Sequence, residues 1–148
     1  FKIFQEAGEG LCLYGQVGVG KTFAAGCIVN RLTSKGYKVY MTNVPSIVAA
    51  VQADMSRRQE YLDKLARYDL LIIDDLGTEM PGQFTTAALY NLINDRLLMA
   101  KPMIVSTNLT IDEMLKRYSP QIASRLRGSF ERVAFVGEDI RVLKNRGY

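Results

Sequence analysis

The residues most able to do chemistry come early in the chain. Gly15-Gln16-Val17-Gly18-Val19-Gly20-Lys21-Thr22 fits the pattern GxxxxGK followed by Ser or Thr. The glycines let the backbone turn its N–H groups inward around phosphate oxygens, and a helix starting there adds the positive end of its dipole. Lys21 can reach terminal phosphates, and the Thr22 hydroxyl can bind a metal ion. These residues imply a bound nucleoside triphosphate with magnesium (Mg2+), ATP being the expected nucleotide.

A pair of carboxylates is the second signal. Asp74 and Asp75 follow the apolar run Leu70-Leu71-Ile72-Ile73. Such a run reads as a central parallel strand, and crevices in parallel sheets open at the strand C-termini. Asp74 then fits the carboxylate that supports magnesium through its waters, and Asp75 is placed to orient or deprotonate an attacking water. Without the phosphate loop, the pair would read as capping or turn residues before Leu76-Gly77. Ser106-Thr107-Asn108 ends a further strand, and a neutral polar side chain there can hydrogen-bond a water or the terminal phosphate. Asn108 is the first choice for that role and Thr107 the second, with a plain turn as the alternative.

Composition narrows the chemistry further. The chain has 148 residues and no histidine, so Ser-His, Cys-His and His-ligated zinc sites are excluded. Whatever it does must run on carboxylates, Lys, Arg, backbone amides and a metal ion. Cys12 and Cys27 have apolar sequence neighbours and no CxxC spacing, which predicts two buried free thiols in a reducing, cytoplasmic setting. No apolar run approaches the roughly 20 residues that span a bilayer, and the opening Phe1-Lys2-Ile3-Phe4-Gln5-Glu6 does not resemble a signal peptide. A start at Phe1 predicts a piece of a longer protein with a region upstream. Net charge is +4, with Lys116, Arg117, Arg125, Arg127, Arg132, Arg141, Lys144 and Arg146 gathered late. That permits phosphate contact, but a solvated basic face reads equally well.

The elements that position these groups follow from periodicity. Strands are expected at 11–14, 38–42, 70–73, 102–106 and 131–136. Ala24, Ala25, Ile28, Val29 and Leu32 have helical spacing, closed by Gly36. Further helices are expected at 44–55, 59–67 and 84–99. Thr110-Ile111-Asp112-Glu113 is a capping box, and Ser119-Pro120 starts another helix, Pro being free of cost where the N–H is unpaired anyway. The alternation of strand and helix predicts an α/β domain over 1–148 with a five-stranded, mainly parallel sheet in three layers.

Taken in order, the phosphate loop, the Asp-Asp strand end, the polar strand end and Ser124-Arg125-Leu126 resemble the AAA+ P-loop ATPases. More narrowly the chain resembles the replicative-helicase loaders of the DnaC/DnaI type and their transposition relative IstB. The residues that carry this are Leu13-Tyr14-Gly15, Asp69 through Gly77, Ile93-Asn94-Asp95-Arg96, Ser106-Thr107-Asn108-Leu109, and Tyr118 through Leu126.

The resemblance implies a magnesium-dependent ATPase domain that places a replicative helicase on single-stranded DNA in DNA replication, and contacts that helicase through the upstream region. It implies self-association, with Arg125 acting as an arginine finger on a neighbour's terminal phosphate. From the residues alone, Arg125 would pair with Glu131 or Asp112 on the surface. The helices between the second and third strands would line a DNA channel, with Arg57, Arg58 and Lys64 as contacts. Asp75 stands where many AAA+ members have Glu, so hydrolysis is expected to be slow; the helical lid is expected to be absent or reduced, with Arg141 a substitute for its arginine. A nucleotide-gated binding switch with little turnover and an IstB-type transposition helper are the alternatives. A small-molecule kinase is disfavoured, since neither an acceptor pocket nor an Arg-rich lid is evident.

Overall fold

The computed structural model describes residues 9–80 and 82–145. Phe1 to Glu6, read above for a signal peptide, and Arg146 lie outside the described residues. Five strands alternate with seven helices among those residues: β1 (Gly10–Gly15), α1 (Lys21–Thr33), β2 (Val39–Asn43), α2 (Val44–Ala53), α3 (Arg58–Arg67), β3 (Leu70–Leu76), α4 (Gln83–Leu98), β4 (Met103–Thr107), α5 (Ile111–Arg117), α6 (Pro120–Gly128), β5 (Phe130–Phe135) and α7 (Ile140–Asn145). The sheet runs β2-β3-β4-β1-β5, and every pairing is parallel.

The apolar runs become central strands because each must bury both faces. Leu70 and Ile72 turn to one side, where they meet Leu13, Ile104 and the α1 residues Ala25 and Leu32. Leu71 and Ile73 turn to the other, beneath Val44, Leu65, Leu89, Ile93, Met114, Ile122 and Leu126 of α2 to α6. The strand period of two thus divides one apolar sequence between two cores. Three layers result, as expected from the sequence.

One helix boundary moves, for a local reason. The helix expected over 44–55 stops at Ala53, because Asp54 leaves the helical region (φ −147°, ψ 89°). Its carboxylate accepts from Ser56 N at 3.1 Å and Ser56 Oγ at 2.5 Å, opening a 3₁₀ turn over Met55–Arg57 that leads into α3. The capping box at Thr110 and Glu113 forms, and Ser119 Oγ accepts from Ile122 N at the start of α6. Cys12 is buried and its thiol is pushed up to about 11 by burial, against an opposing pull from Arg132. Cys27 is exposed, contrary to expectation. In a helix, each successive residue points about 100° away from the last, so the apolar neighbours Gly26 and Ile28 say little about where Cys27 faces.

Arg96 on α4 is fully buried. Its Nη1 donates to the carbonyls of Leu65, Ala66 and Tyr68, each at 3.0 Å, and its Nη2 to Pro102 O at 2.6 Å. The guanidinium therefore satisfies the orphan carbonyls at the end of α3, which a helix terminus otherwise leaves bare. Burial lowers its pKa to about 10, with Asp69 pulling the other way, so it stays charged at neutral pH.

Candidate functional site

Three adjacent strands, β3, β4 and β1, deliver their C-terminal ends to one edge of the sheet. After β1 the chain turns through Gly15 to Gly20 and enters α1 at Lys21. Gly18 (φ 82°) and Gly20 (φ 97°) hold left-handed backbone that a side chain would strain. Space also dictates Gly18, since a Cβ there would lie 2.1 Å from the Asp139 carboxyl carbon. The amide of Ile140 donates to Gly18 O at 2.9 Å, so the start of α7 is tied to the loop.

Lys21 is only 4% exposed. Its Nζ donates to Gly15 O at 2.7 Å and Gln16 O at 2.6 Å, which occupies two of its three N–H groups. Burial lowers its pKa, while Asp75 and then Asp74 pull the other way. Both carboxylates therefore act on the ammonium that the loop presents.

β3 continues three residues beyond Ile73, and it does so irregularly. Ile73 pairs with Val105 and Leu76 with Thr107, so three steps along β3 match two along β4. This is a β-bulge, a device that re-aims side chains at a strand end. Asp75 takes the bulge's strain, with φ 51° in a residue that is not glycine. Asp74 is turned to α1, where Thr22 Oγ1 donates to its Oδ2 at 2.9 Å and lies 3.2 Å from Oδ1.

Ser106, which the sequence reading passed over, joins the two aspartates. It is fully buried; its Oγ donates to Asp74 Oδ1 and accepts from Asp75 N at 2.9 Å. The signal was a hydroxyl ending the apolar run of β4, one residue short of the two chosen. Thr107, the second choice for a phosphate contact, is 1% exposed and committed elsewhere. Its Oγ1 donates to Leu76 O at 2.7 Å and accepts from Leu109 N at 3.1 Å, which rules out that role in this arrangement. Asn108 is exposed at the first position beyond β4, on the same sheet edge, and its side chain makes no hydrogen bond among the described residues.

The basic residues are dispersed. Arg125, on α6, donates from Nη2 to Asn94 Oδ1 at 2.7 Å, and its guanidinium lies 5.8 Å from the Tyr90 ring centroid. It pairs with neither Glu131 nor Asp112. Arg57 pairs with Glu60 at 2.9 Å, with both side chains exposed, and Arg58 lies 5.3 Å from the Phe84 ring centroid. Arg57 and Lys64 line a cleft of about 750 Å³ with Lys38, Arg67, Tyr61 and Tyr68. Arg141 pairs with Asp139 at 3.2 Å, beside Gly18.

Known proteins resemble this arrangement. A family profile described as IstB-like ATP binding protein matches residues 3–126. The replicative helicase loader DnaI of Bacillus subtilis (strain 168) is 30% identical over 115 residues, covering 76% of this chain and 37% of that protein. The replicative helicase loader DnaC of Escherichia coli (strain K12) is 26% identical over 117 residues, covering 76% of this chain and 48% of its own length. The chain therefore spans less than half the length of these curated relatives. The crystal structure of the DnaC helicase loader superposes with a TM-score of 0.80 at 22% identity, over 89% of this chain and 81% of that one. AMPPCP-bound DnaA from Aquifex aeolicus gives a TM-score of 0.76 at 22% identity, over 98% and 49%. These structures share the AAA+ P-loop fold, and none of the helices described here is long and apolar enough to cross a membrane. By its sequence and its phosphate loop, the chain belongs to the IstB-like ATP-binding family.

Proposed function

We propose that this chain is the magnesium-dependent ATPase domain of a cytoplasmic replicative-helicase loader. The observation that carries the reading is the Thr22–Asp74 contact at 2.9 Å, beside a buried Lys21. A hydroxyl and a carboxylate at that distance are hard oxygen donors of the kind magnesium takes. Among the described residues no group of three or more acidic, Cys or His side chains forms a metal cage. Magnesium keeps waters and binds through few protein groups plus phosphates. Thr22 would hold the ion and Asp74 its waters, and the bound ion would neutralise phosphate charge.

The chain's own residues supply the rest. Gly15 through Lys21 wrap the phosphates, with Gln16, Val17, Gly18, Val19 and Gly20 contributing backbone to the loop. Asp75 orients a water against the terminal phosphorus and takes its proton as the bond to the ADP oxygen breaks. Asn108 fixes that water or the phosphate. Arg125, held on α6 by Asn94 of α4, serves the site of a neighbouring copy. Helicase and single-stranded DNA are the partners, the latter at the α2–α3 face with Arg57, Arg58 and Lys64.

The family match favours one second reading, an IstB-type transposition helper with the same nucleotide site. Two measurements test the proposal. Lys21→Ala is expected to abolish binding of a fluorescent ATP analogue, and wild-type affinity would refute the site. Full-length protein used as bait is expected to capture a replicative helicase; capture of a transposase instead would select the second reading.

A further inference from the structure

Glu79 is a buried carboxylate that the phosphate site does not use; it is 6% exposed. Burying a carboxylate is costly unless its oxygens are paired, and here both are. Oε1 accepts from the Tyr118 hydroxyl and Oε2 from Gly77 N at 3.0 Å, while the Glu79 carbonyl accepts from Arg117 Nη2. Tyr118 is itself 6% exposed, and burial together with Glu79 pushes its phenol pKa up, so it stays a donor.

These contacts join two distant parts of the site. On one side, the turn from Asp75 to Glu79 is closed tightly: Asp75 O accepts from Thr78 N at 3.3 Å and Thr78 Oγ1 at 2.9 Å. Gly77 (φ 103°) packs so closely that a Cβ would lie 2.4 Å from Leu109 Cδ1, just beyond Asn108. On the other side, Tyr118 directly precedes Ser119, the N-cap of α6, and α6 carries Arg125. A continuous path of bonds thus runs from Thr22 and Asp74 through Ser106 and Asp75, along the closed turn to Glu79, and across to Tyr118 and α6.

We propose that Glu79 is a positioning residue. Through Tyr118 it makes the orientation of α6, and so the presentation of Arg125 to a neighbour, depend on the nucleotide held by its own chain. This rests on Arg125 acting in trans, as read above. A shift of the Asp75 turn when a terminal phosphate is gripped or released moves the carboxylate, and the Glu79–Tyr118 hydrogen bond passes that movement to the start of α6.

The experiment uses the full-length protein with Tyr118→Phe, which removes the hydroxyl and keeps the ring. Three quantities are read: affinity for a fluorescent ATP analogue at protein concentrations below assembly, turnover against protein concentration, and the steepness of turnover against ATP. The expected result is analogue affinity within about twofold of wild type, turnover in the assembled form lowered about tenfold, and ATP dependence reduced to a simple hyperbola. Glu79→Gln, which keeps an acceptor for only one of the two donors, is expected to give the same pattern, with affinity kept and turnover and steepness lowered; it replaces the Phe variant if that does not fold. Unchanged turnover and steepness with only a lowered Tm would overturn the proposal, leaving Glu79 a structural brace. Affinity lost in parallel with turnover would also overturn it, placing the effect in the variant's own site. Wild-type turnover in Arg125→Ala would instead remove the premise, and that outcome is separable from the other two.

Discussion

Thr22 Oγ1 donates to Asp74 Oδ2 at 2.9 Å, joining the second residue of α1 to the bulged end of β3, 52 residues away. The phosphate loop and the acidic strand end are therefore one unit. Each of the groups that meet there makes a separable contribution.

Thr22→Val keeps the shape of the side chain and removes the hydroxyl. ATP-analogue binding in the presence of magnesium is expected to weaken about 10–100-fold. Binding in EDTA should change little. Equal losses in the two titrations would show that Thr22 acts on fold and not on the ion.

Ser106→Ala leaves Asp75 N without its acceptor at a half-buried position and frees Asp74 from its second partner. Loss of stability is expected at about 1–3 kcal/mol, the usual cost of an orphaned buried group. Turnover should fall more than analogue affinity, because both aspartates lose their orientation. Denaturant melts and steady-state kinetics on the same preparation check this, and an unchanged kcat would contradict it.

Arg125→Ala should bind nucleotide normally and lose turnover by about 10³-fold, the usual worth of an arginine finger. Wild-type turnover should also collapse on dilution. If a dilute monomer hydrolyses as fast as the concentrated protein, Arg125 has no role in trans.

Asp69 gives a pH signature. The Lys38 amide, donating at 2.8 Å, and then Lys101 at 3.3 Å hold its carboxyl below the ordinary value. A carboxylate lowered in the folded state stabilises the fold above its unfolded pKa, and that contribution is lost as pH falls through the folded value. Asp69→Asn is therefore expected to melt below wild type at neutral pH, with the gap closing below about pH 4. A Tm difference that stays constant across the acid range would refute the assignment.

The phosphate loop was legible in sequence because its chemistry is local: adjacent residues and their backbone make the site. The sheet was nearly as legible, since the run Leu70 to Ile73 reads as a strand covered on both faces, and all four are buried. What lay hidden depends on partners distant in sequence. The bulge at Asp74 and Asp75 is a mismatch between β3 and β4, which neither strand records alone. Ser106 and Thr107 are similar hydroxyls on consecutive residues, and strand alternation alone sends one to the aspartates and the other to Leu76 O. Arg96 looks like any surface charge on a helix until α3 ends against it. Asp54 was different, because Asp and Ser two residues apart are a local capping signal that outweighs the helical pattern across it.

The bond from Ile140 N to Gly18 O ties the first residue of α7 to the phosphate loop. The exchange rate of that one backbone hydrogen thereby becomes a gauge of how firmly the loop and α7 are held together.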